Sequence, residues 1–225
     1  SLQQICKETI DFDFPLVPIT SNIKALELFH GPTLAFKDVG ARFMSRCLGY
    51  FSKEKKASNR NSNLTKSSED NTTTKPTTVL VATSGDTGGA VANGFLGVEG
   101  IDVVILYPKG KVSKIQEQQL TTIGHNIAAL EVEGTFDDCQ KMVKLAFNDE
   151  SLTNTMNLSS ANSINVARFL PQSFYYFSAY EQLEDKKKPV AFSVPSGNFG
   201  NLTAGMFATR MGLPVEKFIA ATNVN

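Results

Sequence analysis

Short apolar runs alternate with longer amphipathic ones along this chain. Thr78–Ala82, Asp102–Leu106, Ile127–Val132 and Ala191–Val194 are rich in Val, Ile, Leu and Ala. With Ala25–Phe29 and Phe218–Ala221 they predict six β-strands, several apolar enough to be covered on both faces. Helical spacing predicts α-helices over Lys37–Phe51, Thr87–Leu96, Lys114–Thr121, Phe136–Phe147, Phe174–Leu183 and Leu202–Met211. In the first of these, Val39, Phe43 and Cys47 form a stripe with Met44, Leu48 and Phe51 beside it, the face that covers a sheet. Strand–helix alternation of this kind is the pattern of βαβ units, so the predicted class is α/β with a parallel sheet. Pro171 interrupts a helical stretch and predicts a kink or a new helix start.

Ser52–Thr78 breaks the alternation. It is crowded with Ser, Thr, Asn and Lys, with little apolar beyond Ala57 and Leu64, and predicts a flexible polar insertion. Its basic residues are interspersed with Glu54, Glu69 and Asp70, which argues against a nucleic-acid arm. The final residues, 218–225, read as a strand and the start of a loop where a parallel sheet would run on into a helix, so the chain reads as a fragment.

Composition narrows the function. Lys and Arg number 22, Asp and Glu also 22, and the formal net charge is zero. No whole-molecule field therefore draws the chain to nucleic acid or an anionic membrane, and any anion site has to be local. Cys6, Cys47 and Cys139 are odd in number, far apart and without histidines at ligand spacing. They suggest buried reduced thiols rather than a disulfide framework or a metal site. Lys7, Glu8, Asp11 and Asp13 stand where a signal peptide needs an apolar run, and no stretch reaches membrane-spanning length, which reads as cytoplasmic. In that setting the Asn-x-Ser/Thr triplets at Asn63, Asn71, Asn157 and Asn201 are chance.

Three loops carry the candidate chemistry. The first, Glu27–Asp38, passes through His30-Gly31-Pro32-Thr33 and delivers Lys37 to a helix start. The helix dipole and burial both disfavour an ammonium there, which favours the neutral amine that attacks an aldehyde. His30 is either a general acid or base or a structural histidine of the turn. The second, Thr83-Ser-Gly-Asp-Thr-Gly-Gly89, joins a strand to an Ala-rich helix and offers N–H groups and three hydroxyls to an anion, its glycines permitting close approach. It is neither a Walker loop nor a dinucleotide fingerprint. The third, Val194-Pro-Ser-Gly-Asn-Phe-Gly-Asn201, has glycines that free the backbone, so that N–H groups of residues 197–201 can cradle a phosphate. Between the last two, Asn162, Ser163 and Arg168 suit a second phosphate, the arginine fork supplying the charge. Two glycine loops and a lysine at a helix start point together to a small anionic cofactor.

Phe29–Asp38, Ala82–Gly88 and Pro195–Asn201 carry a resemblance that runs through nearly the whole chain apart from the polar insertion. The chain resembles the threonine synthase family, in the longer form shared by many bacteria and fungi. The resemblance implies a type II pyridoxal-phosphate fold of two α/β domains with the cofactor cleft between them. Residues 1–35 and 156–225 would belong to the larger domain and 36–155 to the smaller. It implies that Lys37 is the catalytic residue and holds the cofactor as a Schiff base. Gly197, Asn198, Phe199, Gly200 and Asn201 would bind the cofactor phosphate, and Asp86 would lie near its 3′-oxygen. Ser84, Gly85, Thr87 and Gly88 would take the substrate carboxylate, and Asn162, Ser163 and Arg168 the phosphate of O-phosphohomoserine. No metal is implied. The implied reaction converts O-phospho-L-homoserine and water to L-threonine and phosphate. The group facing the pyridine nitrogen in this fold lies beyond residue 225, which predicts that residues 1–225 alone bind cofactor poorly and turn over slowly or not at all. The rival readings are another enzyme of the same fold, a phospho-lyase or serine/threonine dehydratase, and a non-catalytic anion-binding module. The sequence is silent on oligomeric state.

Overall fold

The computed structural model describes residues 1–62, 75–162, 165–195 and 197–223. The chain opens with α1 (Leu2–Thr9), capped by the Ser1 hydroxyl, and an antiparallel pair, β1 (Leu16–Pro18) and β2 (Lys24–Leu26). Then comes α2 (Asp38–Ser62), followed by β3 (Thr77–Ala82), α3 (Asp86–Phe95), β4 (Ile101–Pro108), α4 (Lys114–Thr121) and β5 (Ile127–Val132). After α5 (Phe136–Asn148) and α6 (Glu150–Thr155), β6 (Asn157–Ser160) completes a four-stranded parallel sheet in the order β5-β4-β3-β6.

The alternation of side chains in β3 shows why this sheet is the centre of the molecule. Val79 and Val81 point into one core with Ile101, Val103, Ile105, Phe95 and Met44, while Leu80 and Ala82 point into another with Leu106, Cys139 and Val143. The strand is therefore covered on both faces, as its unbroken apolar run predicts. Each fully buried Val or Ile contributes about 1.5–3 kcal/mol.

A second unit forms around α7 (Val166–Phe169), a short 3₁₀ turn at Leu170–Gln172, α8 (Ser173–Glu181), β7 (Ala191–Pro195), α9 (Gly200–Arg210) and β8 (Lys217–Ala221). Pro171 lies in the first positions of the 3₁₀ turn and α8 starts directly after it, the new helix start expected there. β7 and β8 pair in parallel, and Tyr175, Tyr176, Val194, Ala204 and Ala208 build a separate core with Phe14 and Val39. Since α2 gives Val39 to this core and Ala41 and Met44 to the central one, its first turn sits at the junction of the two.

Several expectations need correction. The first helix runs on to Ser62, so the start of the expected insertion is helical, Thr77 and Thr78 open β3, and residues 63–74 lie outside the described residues. Phe51, placed beside the stripe on the covering face, is 62% exposed. The strand expected over Ala25–Phe29 stops at Leu26 and pairs with β1, outside the parallel sheet, because the chain turns toward His30-Gly31-Pro32. β6 falls after residue 156 yet pairs with β3, so the central sheet extends to Ser160; with one leucine among Asn and Ser, it carries no apolar run to reveal it. Ala191, Ser193 and Pro195 of β7 and every residue of β8 except Phe218 are exposed, so among the described residues this pair is open on one face and partly covered on the other. Cys139 is buried, whereas Cys6 and Cys47 are half-buried; all three are free thiols. No helix of the described residues is long and apolar enough to cross a membrane.

Candidate active site

Lys37 stands immediately before α2, its carbonyl accepting the Ala41 N–H and so opening the helix. The preceding turn is locked by Asp38, 1% exposed, whose carboxylate accepts the Thr33 N–H at 3.0 Å and the Thr33 hydroxyl. Burial raises the Asp38 pKa while these hydrogen bonds pull it down. Gly31 is needed here, because a Cβ would come within 2.5 Å of the Asp38 carboxylate. Tyr175 of α8 donates its hydroxyl to the Phe36 carbonyl and fixes the backbone one residue before the lysine. The Lys37 amine is three-quarters buried, and burial lowers its pKa. Asp86, with Oδ2 at 3.9 Å from the amine, works in the opposite direction, and Arg168 lowers it further. His30 pairs with Glu27 at 2.8 Å and does not line the cleft described next.

One cleft is lined by Phe36, Lys37, Arg168, Gln172, Pro195 and Gly197–Asn201. It unites the lysine with the third loop, as the sequence anticipates. The turn leaves β7 and enters α9 through Phe199, which takes a left-handed φ of 55°. Asn201 braces the turn: its amide donates to the Pro195 carbonyl at 2.8 Å, its side-chain oxygen accepts the Leu202 N–H at 2.9 Å, and its own carbonyl accepts the Tyr176 hydroxyl at 2.7 Å. Its side chain is therefore committed to the turn. Gly197, Asn198 and Phe199 are exposed along the rim, and nothing lies within 4 Å of where a Gly197 Cβ would stand.

Arg168 lies on α7, whose cap is Asn165, its side chain accepting from Ala167 N at 3.0 Å and donating to the Ser160 carbonyl at 2.8 Å. The arginine is 1% exposed, donates to the Ala161 carbonyl, and has its pKa lowered to about 10 by burial. Its Nε is buried without a hydrogen-bond partner, and so is Oε1 of Gln172 beside it. Buried polar atoms left unpaired cost about 1–3 kcal/mol each. Both residues line the cleft, and a polar ligand there is one way to satisfy such atoms. Gly40 brings α2 against this helix, since a Cβ there would stand 2.2 Å from the Arg168 carbonyl oxygen. Asn162 is half-buried, and Ser163 lies outside the described residues.

The second loop departs from expectation. Thr83 is fully buried, and its hydroxyl oxygen accepts the N–H groups of Gly85 at 2.9 Å and Gly88 at 2.8 Å while donating to the Gly85 carbonyl at 3.0 Å. With the Gly89 N–H on the Gly85 carbonyl at 3.3 Å, one of the three hydroxyls and three of the backbone donors are spent inside the loop. Ser84 is exposed and Thr87 half-buried at the open first turn of α3, where the leading N–H groups have no helical acceptor. The glycines also serve packing: a Cβ at Gly85 would meet the Gln116 amide at 2.5 Å, at Gly88 the Thr83 side chain at 2.6 Å, and at Gly89 Gln119 at 2.9 Å. Asp86 is about half exposed and receives Nε2 of Gln116 at 2.6 Å.

Gln116, Gln172 and Tyr175 are residues that sequence reasoning missed, and Thr83, read there as a hydroxyl offered to an anion, closes its own loop instead. Only Tyr175, an apolar position of a helical stretch, carried a local signal, and that signal spoke for packing. A second, larger cavity of about 490 Å³ lies around Leu48, Phe51, Lys75, Pro76 and Asn157. It contains none of the three loops.

A profile of the family described as "Pyridoxal-phosphate dependent enzyme" matches residues 22–225. The chain is 47% identical to the threonine synthase of Escherichia coli (strain K12) over 225 residues, covering 100% of this chain and 48% of that protein. It is 47% identical to the threonine synthase of Saccharomyces cerevisiae over 207 residues, covering 91% and 38%. The crystal structure of threonine synthase from Escherichia coli superposes with a TM-score of 0.84 at 46% identity, over 99% of this chain and 48% of that one. The chain spans about half the length of the curated relatives it matches. Diaminopropionate ammonia lyase from Escherichia coli, 16% identical with a TM-score of 0.64, shares the fold.

Proposed function

The chain belongs to the family of pyridoxal-phosphate dependent enzymes, and from that premise we propose that it forms the cofactor-binding part of an enzyme that turns O-phospho-L-homoserine and water into L-threonine and phosphate. One observation carries the reading: a largely buried amine with a lowered pKa lines the same cleft as a glycine turn and as Arg168 and Gln172, each of which has a buried, unpaired polar atom. These residues fit the cofactor. When bound, it supplies an aldehyde for an amine and a ring that withdraws electrons from the substrate carbons. Lys37 would be its anchor and then move protons at Cα and Cβ of the substrate, a task suited to an amine whose pKa burial lowers.

The backbone of Gly197–Asn201 would hold the cofactor phosphate, with Asn198 and Phe199 on the rim and Asn201 stiffening the turn. Asp86 would address the 3′-oxygen. The substrate carboxylate would rest on Ser84 and Thr87 and the first N–H groups of α3, with Gly85 and Gly88 shaping the loop. Arg168, with Asn162 and Ser163, would take the substrate phosphate, which leaves from Cγ as water adds at Cβ. The buried Nε of Arg168 gives a phosphate oxygen a donor already stripped of solvent. Motion of residues 36–155, whose sheet extends to Ser160, against the unit around β7 and β8 would exclude stray water. The separate cores of the two units support that division. The cytoplasmic placement expected from the sequence belongs to the same proposal.

The test uses the protein at its natural full length with pyridoxal phosphate. Borohydride should fix the cofactor on Lys37, and phosphohomoserine should yield threonine and phosphate in equal amounts. An unlabelled Lys37 would favour an anion-binding module, and a 2-oxo acid product would favour a phospho-lyase or dehydratase. Arg168→Ala should damage turnover of phosphohomoserine and leave the label on Lys37 intact.

A further inference from the structure

We propose that Gln116, on α4, is a positioning residue for the reaction: its side-chain amide holds the Asp86 carboxylate at the distance from Lys37 that the chemistry uses. The inference rests on the functional reading given above and adds a residue from a helix that contributes nothing to the cleft lining.

The orientation of the amide is fixed by its own bonds. Oε1 of Gln116 accepts the Ser113 N–H at 3.1 Å, half of a capping box at the start of α4, so the other terminal atom must be the nitrogen. That nitrogen donates to Oδ1 of Asp86 at 2.6 Å, across 30 residues of sequence. The second carboxylate oxygen, Oδ2, is left facing the Lys37 amine at 3.9 Å. An unheld carboxylate so exposed would rotate among several rotamers and into water. Gln116 removes that freedom and leaves one oxygen toward the amine. The amide also lies flat against Gly85, where any Cβ would come within 2.5–2.6 Å of all three of its terminal atoms. Gly85 takes a φ of 142° and is tied to Thr83 from inside, so the base on which the amide rests is itself fixed. A purely structural cap needs only the Ser113 partnership; the bond to Asp86 and the close fit on Gly85 serve the loop.

The charged groups acting on Lys37 are Asp86 from α3 and Arg168 from α7, with opposite effects. The pH midpoint of the cofactor's absorbance at Lys37 therefore reports where the Asp86 carboxylate sits. In the full-length protein, Gln116→Ala should free the carboxylate and lower that midpoint by roughly half a unit or more. Gln116→Glu should place a second negative charge near the amine and raise it. Ser113→Ala, which removes the hydroxyl that accepts the Gln116 N–H, should lower stability and leave the midpoint in place. Equal midpoints for wild type, Gln116→Ala and Gln116→Glu would overturn the inference, as would shifts of both in one direction or an equal shift in Ser113→Ala. Wild type that is labelled at Lys37 by borohydride and makes threonine, while failing these tests, sinks the role of Gln116 alone. An unlabelled wild type sinks the functional reading and this inference with it.

Discussion

The two glycine loops look alike in sequence, each running from a strand through Ser, Gly and Asn or Asp into a helix, yet they are held in opposite ways. Thr83–Gly89 is clamped from inside: its loop closes on a fully buried threonine hydroxyl at the end of a strand covered on both faces. Pro195–Asn201 is braced from outside. It leaves a two-stranded sheet open on one face, and its turn is kept by the side chain of Asn201, the hydroxyl of Tyr176 and a left-handed Phe199. The first loop inherits its rigidity from a core. The second carries its rigidity in its own side chains, with Gly197, Asn198 and Phe199 exposed along the cleft. A loop clamped by its core and a turn braced by its own side chains can thus arise from nearly the same string of residue types.

The difference can be tested by stability measurements on the full-length protein in urea. Thr83→Val keeps the shape but strands the buried Gly85 N–H, leaves the Gly88 N–H with the Gly85 carbonyl as its remaining acceptor, and should cost about 3 kcal/mol. A loss below 1 kcal/mol would mean the clamp is not what closes the loop. Gly40→Ala attacks the seam between the two regions, where α2 meets the Arg168 carbonyl, and should cost about 2 kcal/mol through overpacking. It should also weaken use of phosphohomoserine by displacing Arg168; unchanged stability and turnover would show that the contact gives way freely. Asn201→Ala should cost only about 1 kcal/mol in a partly solvated turn, while lowering affinity for pyridoxal phosphate. Equal losses for Thr83→Val and Asn201→Ala would erase the contrast between the loops.

What the sequence made legible follows the same division. The largely buried strands β3 and β4 and the edge strand β5 announce themselves as apolar runs, and the glycine loops and Lys37 by their place between strand and helix. β6 was hidden, because Asn157-Leu-Ser-Ser160 becomes a strand through pairing with β3 rather than through its own pattern. The clamp role of Thr83 was hidden too, since a threonine spent on loop closure and one offered to a ligand are the same letter. Gln116 and Gln172 act through partners 30 residues away or through a neighbouring carbonyl, and no local spacing encodes that. The glycines of the second loop invited a ligand explanation, whereas the space they leave is filled by α4 and by Thr83.

The smallest effect concerns the amine between the loops. Burial lowers the Lys37 pKa from 10.5, outweighing Asp86, so the folded state takes up this proton less readily than the unfolded state. As pH falls below 10.5 the unfolded chain binds the proton first, and stability declines until the folded value is passed; below that the contribution is constant. The stability associated with this group is thus present above 10.5 and lost as pH falls through the lowered value. Arg168, lowered to about 10 by its own burial, adds a slope of the same sign and must be cancelled. Comparing cofactor-free wild type with cofactor-free Lys37→Met does so, because methionine has similar bulk and no charge while Arg168 remains in both. Urea unfolding between pH 7 and pH 11 should show wild type losing stability relative to Lys37→Met as pH falls from 10.5, then running parallel to it. A relative gain on acidification would mean that the carboxylate of Asp86, and not burial, governs the lysine, and the cleft would then favour an ammonium over the neutral amine that the proposed chemistry requires.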